Sequence, residues 1–150
     1  MKSCFFIGHR ESSEEVFLAL TDVVEHHITN LGVTEFFVGN YGGFDHMVAK
    51  ALAAAKKRHP HIILLMVIAY HPAERSVQLP DGFDGTFYPP DMEFTPRRFA
   101  IARANRYMVN HADYLIAYVW HPASNARNLV EYARKKGKEG RITVTNLAEP

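Results

Sequence analysis

A chain of 150 residues, 47% of them hydrophobic, is long enough for one domain with one core and too short for two of ordinary size. Its net charge of +1, with 22% charged residues, lacks the strongly basic footprint of general nucleic-acid binding, although a local basic patch fits within it. A single cysteine rules out a disulfide framework, and no apolar run is long enough for a signal peptide or a membrane span, so the expected compartment is the cytoplasm.

Residues 4–7 form a short continuous apolar run, the pattern of a strand buried on both faces, and Gly8-His9-Arg10 closes it. This is the expected central strand, with Cys4 a buried structural thiol. After the hydroxyls and acids of residues 11–15, Val16, Leu20, Val23, Val24, His27, Ile28 and Leu31 recur at helical spacing until Gly32 stops the helix. Residues 34–38 read as the second strand and 44–58 as the second helix, which Pro60 ends. Residues 61–70 read as a third strand, apolar almost throughout.

From 71 to 96 the pattern breaks into Pro, Gly and Asp around Phe83, Phe87, Tyr88 and Phe94, and predicts a long loop whose aromatics pack down on the sheet. A helix over 95–110, a fourth strand over 114–119, a helix over 124–136 closed by Gly137, and a fifth strand over 141–144 complete the chain. Such alternation predicts an α/β protein: a doubly wound, mainly parallel sheet of about five strands between two helical layers, a three-layer Rossmann-like fold. Ligands of such sheets bind at the carboxyl ends of the strands, where strand order reverses.

The strand ends carry the candidate chemistry. Between the second strand and its helix runs Gly39-Asn40-Tyr41-Gly42-Gly43-Phe44-Asp45, where glycines permit positive φ and close ligand approach, and a helix N-terminus offers amides to a phosphate or carboxylate. A tight turn with Asp45 as an ordinary cap is the plainer alternative. Arg10 offers a charged fork to an anion or stands solvated. Asp45 accepts from a ribose hydroxyl, holds an amine, or caps. Ser124 and Asn125 begin a helix as caps or ligand contacts, and Trp120 stacks on a base or packs. His9, His46, His71 and His121 all fall at strand ends, but match no standard metal-ligand spacing, so no metal or other cofactor is expected. Ser12 and Ser13 lack the glycine elbow of a serine hydrolase.

Taken in order, Ile7-Gly8-His9-Arg10, the stretch Gly39 to Asp45, and Asn105-Arg106-Tyr107-Met108-Val109 before Ala112-Asp113-Tyr114 resemble the SLOG superfamily. That Rossmann-like group contains DNA-processing protein A and the lonely-guy phosphoribohydrolases, and the similarity is to its small, single-domain bacterial branch. The resemblance implies one SLOG-like domain over residues 1–150, with a nucleotide or nucleotide derivative bound at the strand ends in a sensor or accessory role. It adds Asn105 and Arg106 to the candidate ligand contacts, and a homodimer as a further expectation.

Departures from the family pattern weaken the enzymatic alternative, a nucleotide N-glycosidase of lonely-guy type. The glycine phosphate loop is replaced by Ser124-Asn125-Ala126, and the positions matching the family's arginine and glutamate are Ala104 and Leu129. Arg103 and Glu131 lie nearby, turned about 100° and 200° around a helix. The remaining alternative is a protein interaction module.

Overall fold

In the computed structural model, which describes residues 1–10 and 13–149, six strands form one sheet and every pairing is parallel. Glu11, Ser12 and Pro150 lie outside the described residues. The strands are β1 (Lys2–Gly8), β2 (Val33–Val38), β3 (Ile63–Val67), β4 (Gly85–Phe87), β5 (Tyr114–Tyr118) and β6 (Thr143–Asn146), in the spatial order β4-β3-β2-β1-β5-β6. The helices are α1 (Glu14–Thr29), α2 (Gly43–Arg58), α3 (Ala100–His111) and α4 (Asn125–Lys138).

β1 lies centrally because its residues are apolar on both sides. Cys4 and Phe6 face the core built with α1 and α2, while Phe5 and Ile7 face the core built with α3 and α4. Phe5 pairs in register with Phe37 of β2 and with Leu115 of β5. The chain leaves β1 toward β2 on one side and returns to β5 on the other. The sheet therefore has its switch point between the carboxyl ends of β1 and β5, where the crossovers diverge and a crevice opens.

Several boundaries differ from those predicted. The long loop of 71–96 contains β4, so the sheet has six strands rather than five. Asp84 creates that strand: its N–H donates to Leu64 O at 2.9 Å, its Oδ2 accepts Leu64 N–H at 2.8 Å, and Lys56 holds the same oxygen at 2.5 Å. Two 3-10 turns, Met92–Phe94 and Arg97–Phe99, precede α3, which starts later than expected. Of the loop aromatics, Phe83, Phe87 and Tyr88 pack against the cores, whereas Phe94 is 79% exposed. Gly137 remains inside α4; the stop falls at Gly140, whose φ of +77° suits glycine. Ser13 precedes α1 without a side-chain capping bond, and its carbonyl accepts Val16 N–H instead. Cys4 is buried, and burial raises its thiol pKa well above the ordinary value. No helix among the described residues is long and apolar enough to cross a membrane.

Candidate functional site

The first strand turn begins with Gly8, whose missing side chain is filled by Phe44: a Cβ there would stand 2.4 Å from the Phe44 ring. Phe44 is fully buried and stacks near Tyr118 on β5. Gly8 therefore serves close packing between β1 and α2. Beyond it, Arg10 O accepts Gly43 N–H at 2.8 Å and His9 O accepts Phe44 N–H at 3.3 Å. The first amides of α2, expected to meet an anionic ligand, are thus occupied by the protein's own backbone.

The glycines of the second loop also act differently from expectation. Among the described glycines, positive φ occurs at Gly32, Gly82 and Gly140, not at Gly39, Gly42 or Gly43. Gly42 has an extended φ of −179°, and a Cβ on it would press on Arg10 Cα at 3.2 Å. On Gly39 a Cβ would meet Asp45 Oδ2 at 3.0 Å. Both let neighbouring segments approach, which holds Arg10 and Asp45 in place.

Asp45 sits in the first turn of α2, partly buried, with Oδ2 accepting Tyr41 N–H at 3.1 Å. Burial pushes its carboxyl up to about 6, against the lowering effect of that amide, and no cation offsets the shift. Tyr41 is pinned in turn, since its hydroxyl accepts Ala69 N–H at 2.9 Å and its ring meets Tyr70 edge-on.

On the other side of the switch point, His9 Nε2 accepts two backbone N–H groups, from Trp120 at 3.0 Å and His121 at 3.1 Å. Burial, then the nearby His121 and Arg127, lower its pKa. Ser124 is the cap of α4: its hydroxyl oxygen accepts Arg127 N–H at 3.1 Å while its O–H donates to His121 O. Trp120 is 54% exposed and rests against the His9 ring, with centroids 4.9 Å apart.

A crevice of about 390 Å³ opens between these elements. Gly8, Arg10, Gly39, Gly42, Asp45, Asn105, Arg106 and Asn125 line it, so most of the sequence-derived candidates share one space. His9, Gly43, Phe44, Trp120 and Ser124 do not line it; they brace it, except Gly43, which faces a neighbouring groove beside α1 with His46 and Met47 that Arg10 also lines. Sequence reasoning missed Tyr41, Ile101, Ala102, Ala126 and Asn128 as lining residues, and it weighed Leu129, also in the wall, only as a lost glutamate. Helical spacing linked them: Ile101, Ala102 and Asn105 share one side of α3, as Asn125, Asn128 and Leu129 do on α4.

Two bracing residues, Asn146 and Arg127, also escaped notice. Buried Asn146 accepts Val119 N–H at 3.1 Å and donates to Val119 O at 2.9 Å, while Arg127 Nη2 donates to the same carbonyl at 3.0 Å. Together they fix the end of β5. Arg106, which lines the crevice, has its guanidinium 4.3 Å from the Tyr132 ring centroid on α4. His9 and His121 have ring centroids 6.5 Å apart, and among the described residues no three His, Cys, Asp or Glu side chains are grouped to hold a metal ion.

Fold and crevice define a doubly wound α/β protein with a ligand-sized opening at its switch point. No known protein-family model matches the chain, and no curated protein matches it at a significant level.

Proposed function

We propose that this protein is a cytoplasmic small-ligand binding domain of SLOG type that holds a nucleotide or nucleotide derivative in the switch-point crevice, in a sensor or accessory role. One observation carries the proposal: Arg10 from the β1 end and Arg106 from α3 share a 390 Å³ crevice with the side-chain amides of Asn105, Asn125 and Asn128. Two guanidinium groups suit a phosphate, and amides suit the edges of a base.

Binding is favoured over N-glycoside hydrolysis. Splitting that bond in the lonely-guy manner needs a carboxylate at the position of the family's glutamate and donors on the phosphate. Ala104 is buried, Leu129 puts an apolar wall into the crevice, and Glu131 pairs with Arg127 and Arg134 rather than lining the crevice.

The test is a thermal-shift screen against nucleoside mono-, di- and triphosphates and phosphosugars, since a ligand that binds the native state raises its melting temperature. Arg10→Ala is expected to remove any shift found without changing the far-UV circular dichroism. If no nucleotide or phosphosugar produces a shift, the proposal is wrong.

A further inference from the structure

Asp45 is the one acidic side chain in the crevice wall among the described residues. Its carboxyl cannot swing freely, because Oδ2 is bound to Tyr41 N–H and abuts the bare α-carbon side of Gly39. Tyr41 in turn is anchored to the end of β3 through Ala69 N–H. With Asp45 in the crevice wall and Oδ2 engaged by Tyr41, Oδ1 is the carboxyl oxygen left for a ligand there.

A mostly desolvated carboxylate with one amide donor and no cation beside it is under-satisfied. Donors brought by a ligand would complete it. On a nucleotide whose anionic end goes to Arg10 and Arg106, the pentose brings hydroxyls and not an ammonium. Neutral hydroxyl donors on a ligand whose anionic end goes to the arginines satisfy both.

We infer, on the basis of the nucleotide-binding reading, that Asp45 Oδ1 accepts from the vicinal hydroxyls of a pentose and thereby makes the site selective for ribonucleotides over analogues lacking those hydroxyls. A site that spends a buried acceptor on a hydroxyl rejects the analogue without it, because the acceptor is then left unpaired. Gly39 belongs to the same device: its missing side chain leaves the space in which the carboxylate is fixed.

The experiment is calorimetric titration of the intact protein with AMP, GMP, CMP and UMP and with the 2′,3′-dideoxy counterpart of each, on wild type and Asp45→Asn. The substitution keeps an oxygen for Tyr41 N–H and turns a donor toward the crevice. Wild type is expected to bind at least one ribonucleotide about tenfold or more tighter than its dideoxy counterpart. Asp45→Asn is expected to bring the pair to within about threefold by losing affinity for the ribonucleotide. Equal affinities in wild type overturn the selectivity and leave nucleotide binding standing. A preference that survives in Asp45→Asn overturns the assignment to Asp45. Absence of binding by all eight compounds at millimolar concentration overturns both readings. Should Asp45→Asn fail to fold, the wild-type comparison still decides whether the hydroxyls are recognised.

Discussion

His9 Nε2 accepts Trp120 N–H at 3.0 Å, a bond between residues 111 positions apart that ties the end of β1 to the end of β5. The same nitrogen accepts His121 N–H, so it carries no proton and the ring is neutral, with its hydrogen on Nδ1. Both bonds are incompatible with imidazolium.

A pH-dependent fluorescence change follows, since Trp120 is the single tryptophan and its ring lies 4.9 Å from His9. The folded state holds the His9 pKa below its ordinary value of about 6.5. Its stabilising contribution is therefore complete above that value and is lost as pH falls through the lower folded value. Trp120 emission is expected to fall over that acidic range, because imidazolium quenches excited indole. His121, also beside Trp120, meets His9 Nε2 through its backbone N–H and not its ring, so His121→Gln should retain the change and His9→Gln should abolish it. An identical titration in wild type and His9→Gln would show that the contact does not report on His9.

Asp45 predicts a conflict between stability and binding. Its folded pKa of about 6 exceeds the ordinary carboxylate value, so the native state binds protons more tightly than the unfolded chain does. Stability contributed by the protonated form is present at low pH and disappears as pH rises through about 6. Asp45→Asn, which is neutral at every pH, is expected to raise stability at pH 7.5 by on the order of 1–3 kcal/mol and to match wild type below about pH 4. Chemical denaturation at the two pH values measures this. A variant less stable than wild type at pH 7.5 would mean that the carboxylate serves the fold.

Gly8→Ala should destabilise the protein by about 1–3 kcal/mol, the usual cost of forcing a methyl group into a filled core. Its Cβ would collide with Phe44 from ring to Cβ, and Phe44 is fully buried. Phe44→Leu in the same chain is expected to recover part of the loss. Additive losses, measured by urea denaturation, would assign the glycine to something other than this contact.

Arg10→Ala and Gly43→Val should separate. Arg10 lines both the crevice and the groove beside α1, whereas Gly43 lines the groove alone. Any nucleotide-induced thermal shift is expected to vanish in the first and persist in the second. Loss in both variants would move the ligand toward the α2 terminus.

No free base should be released from nucleoside monophosphates above a control without protein. Glu131, the carboxylate nearest in sequence to the missing glutamate, lies 3.7 Å from both Arg127 and Arg134. Base release that disappears in Glu131→Gln would replace binding with hydrolysis as the function.

The sheet was largely legible because strands buried on both faces read as apolar runs, and the crevice followed because parallel sheets open at a switch point. β4 was not legible: Gly85-Thr86-Phe87 is too short for a period, and it exists because Asp84 clips the chain to Leu64. Gly137 looked like a stop and is not, since the left-handed turn lies three residues later at Gly140. The Gly39 to Asp45 stretch borders a ligand-sized crevice, but its glycines relieve crowding between segments rather than adopt positive φ. No local pattern could show that His9 accepts amides from Trp120 and His121, because that partnership depends on β1 and β5 being neighbours.

That neighbour relation also sets an order of events during synthesis. One edge of β1 can pair with β2 once residue 38 has left the ribosome, but the other edge waits for residues 114–118. At about 5–20 residues per second, the aromatic edge around Phe5 and Phe6 stays open for several seconds after its first partner exists. An exposed edge invites pairing with other chains. The nascent protein is therefore most exposed to misassembly while α2, β3 and the long connection to α3 are being made, and a chaperone that covers a strand edge in that interval would raise its folding yield.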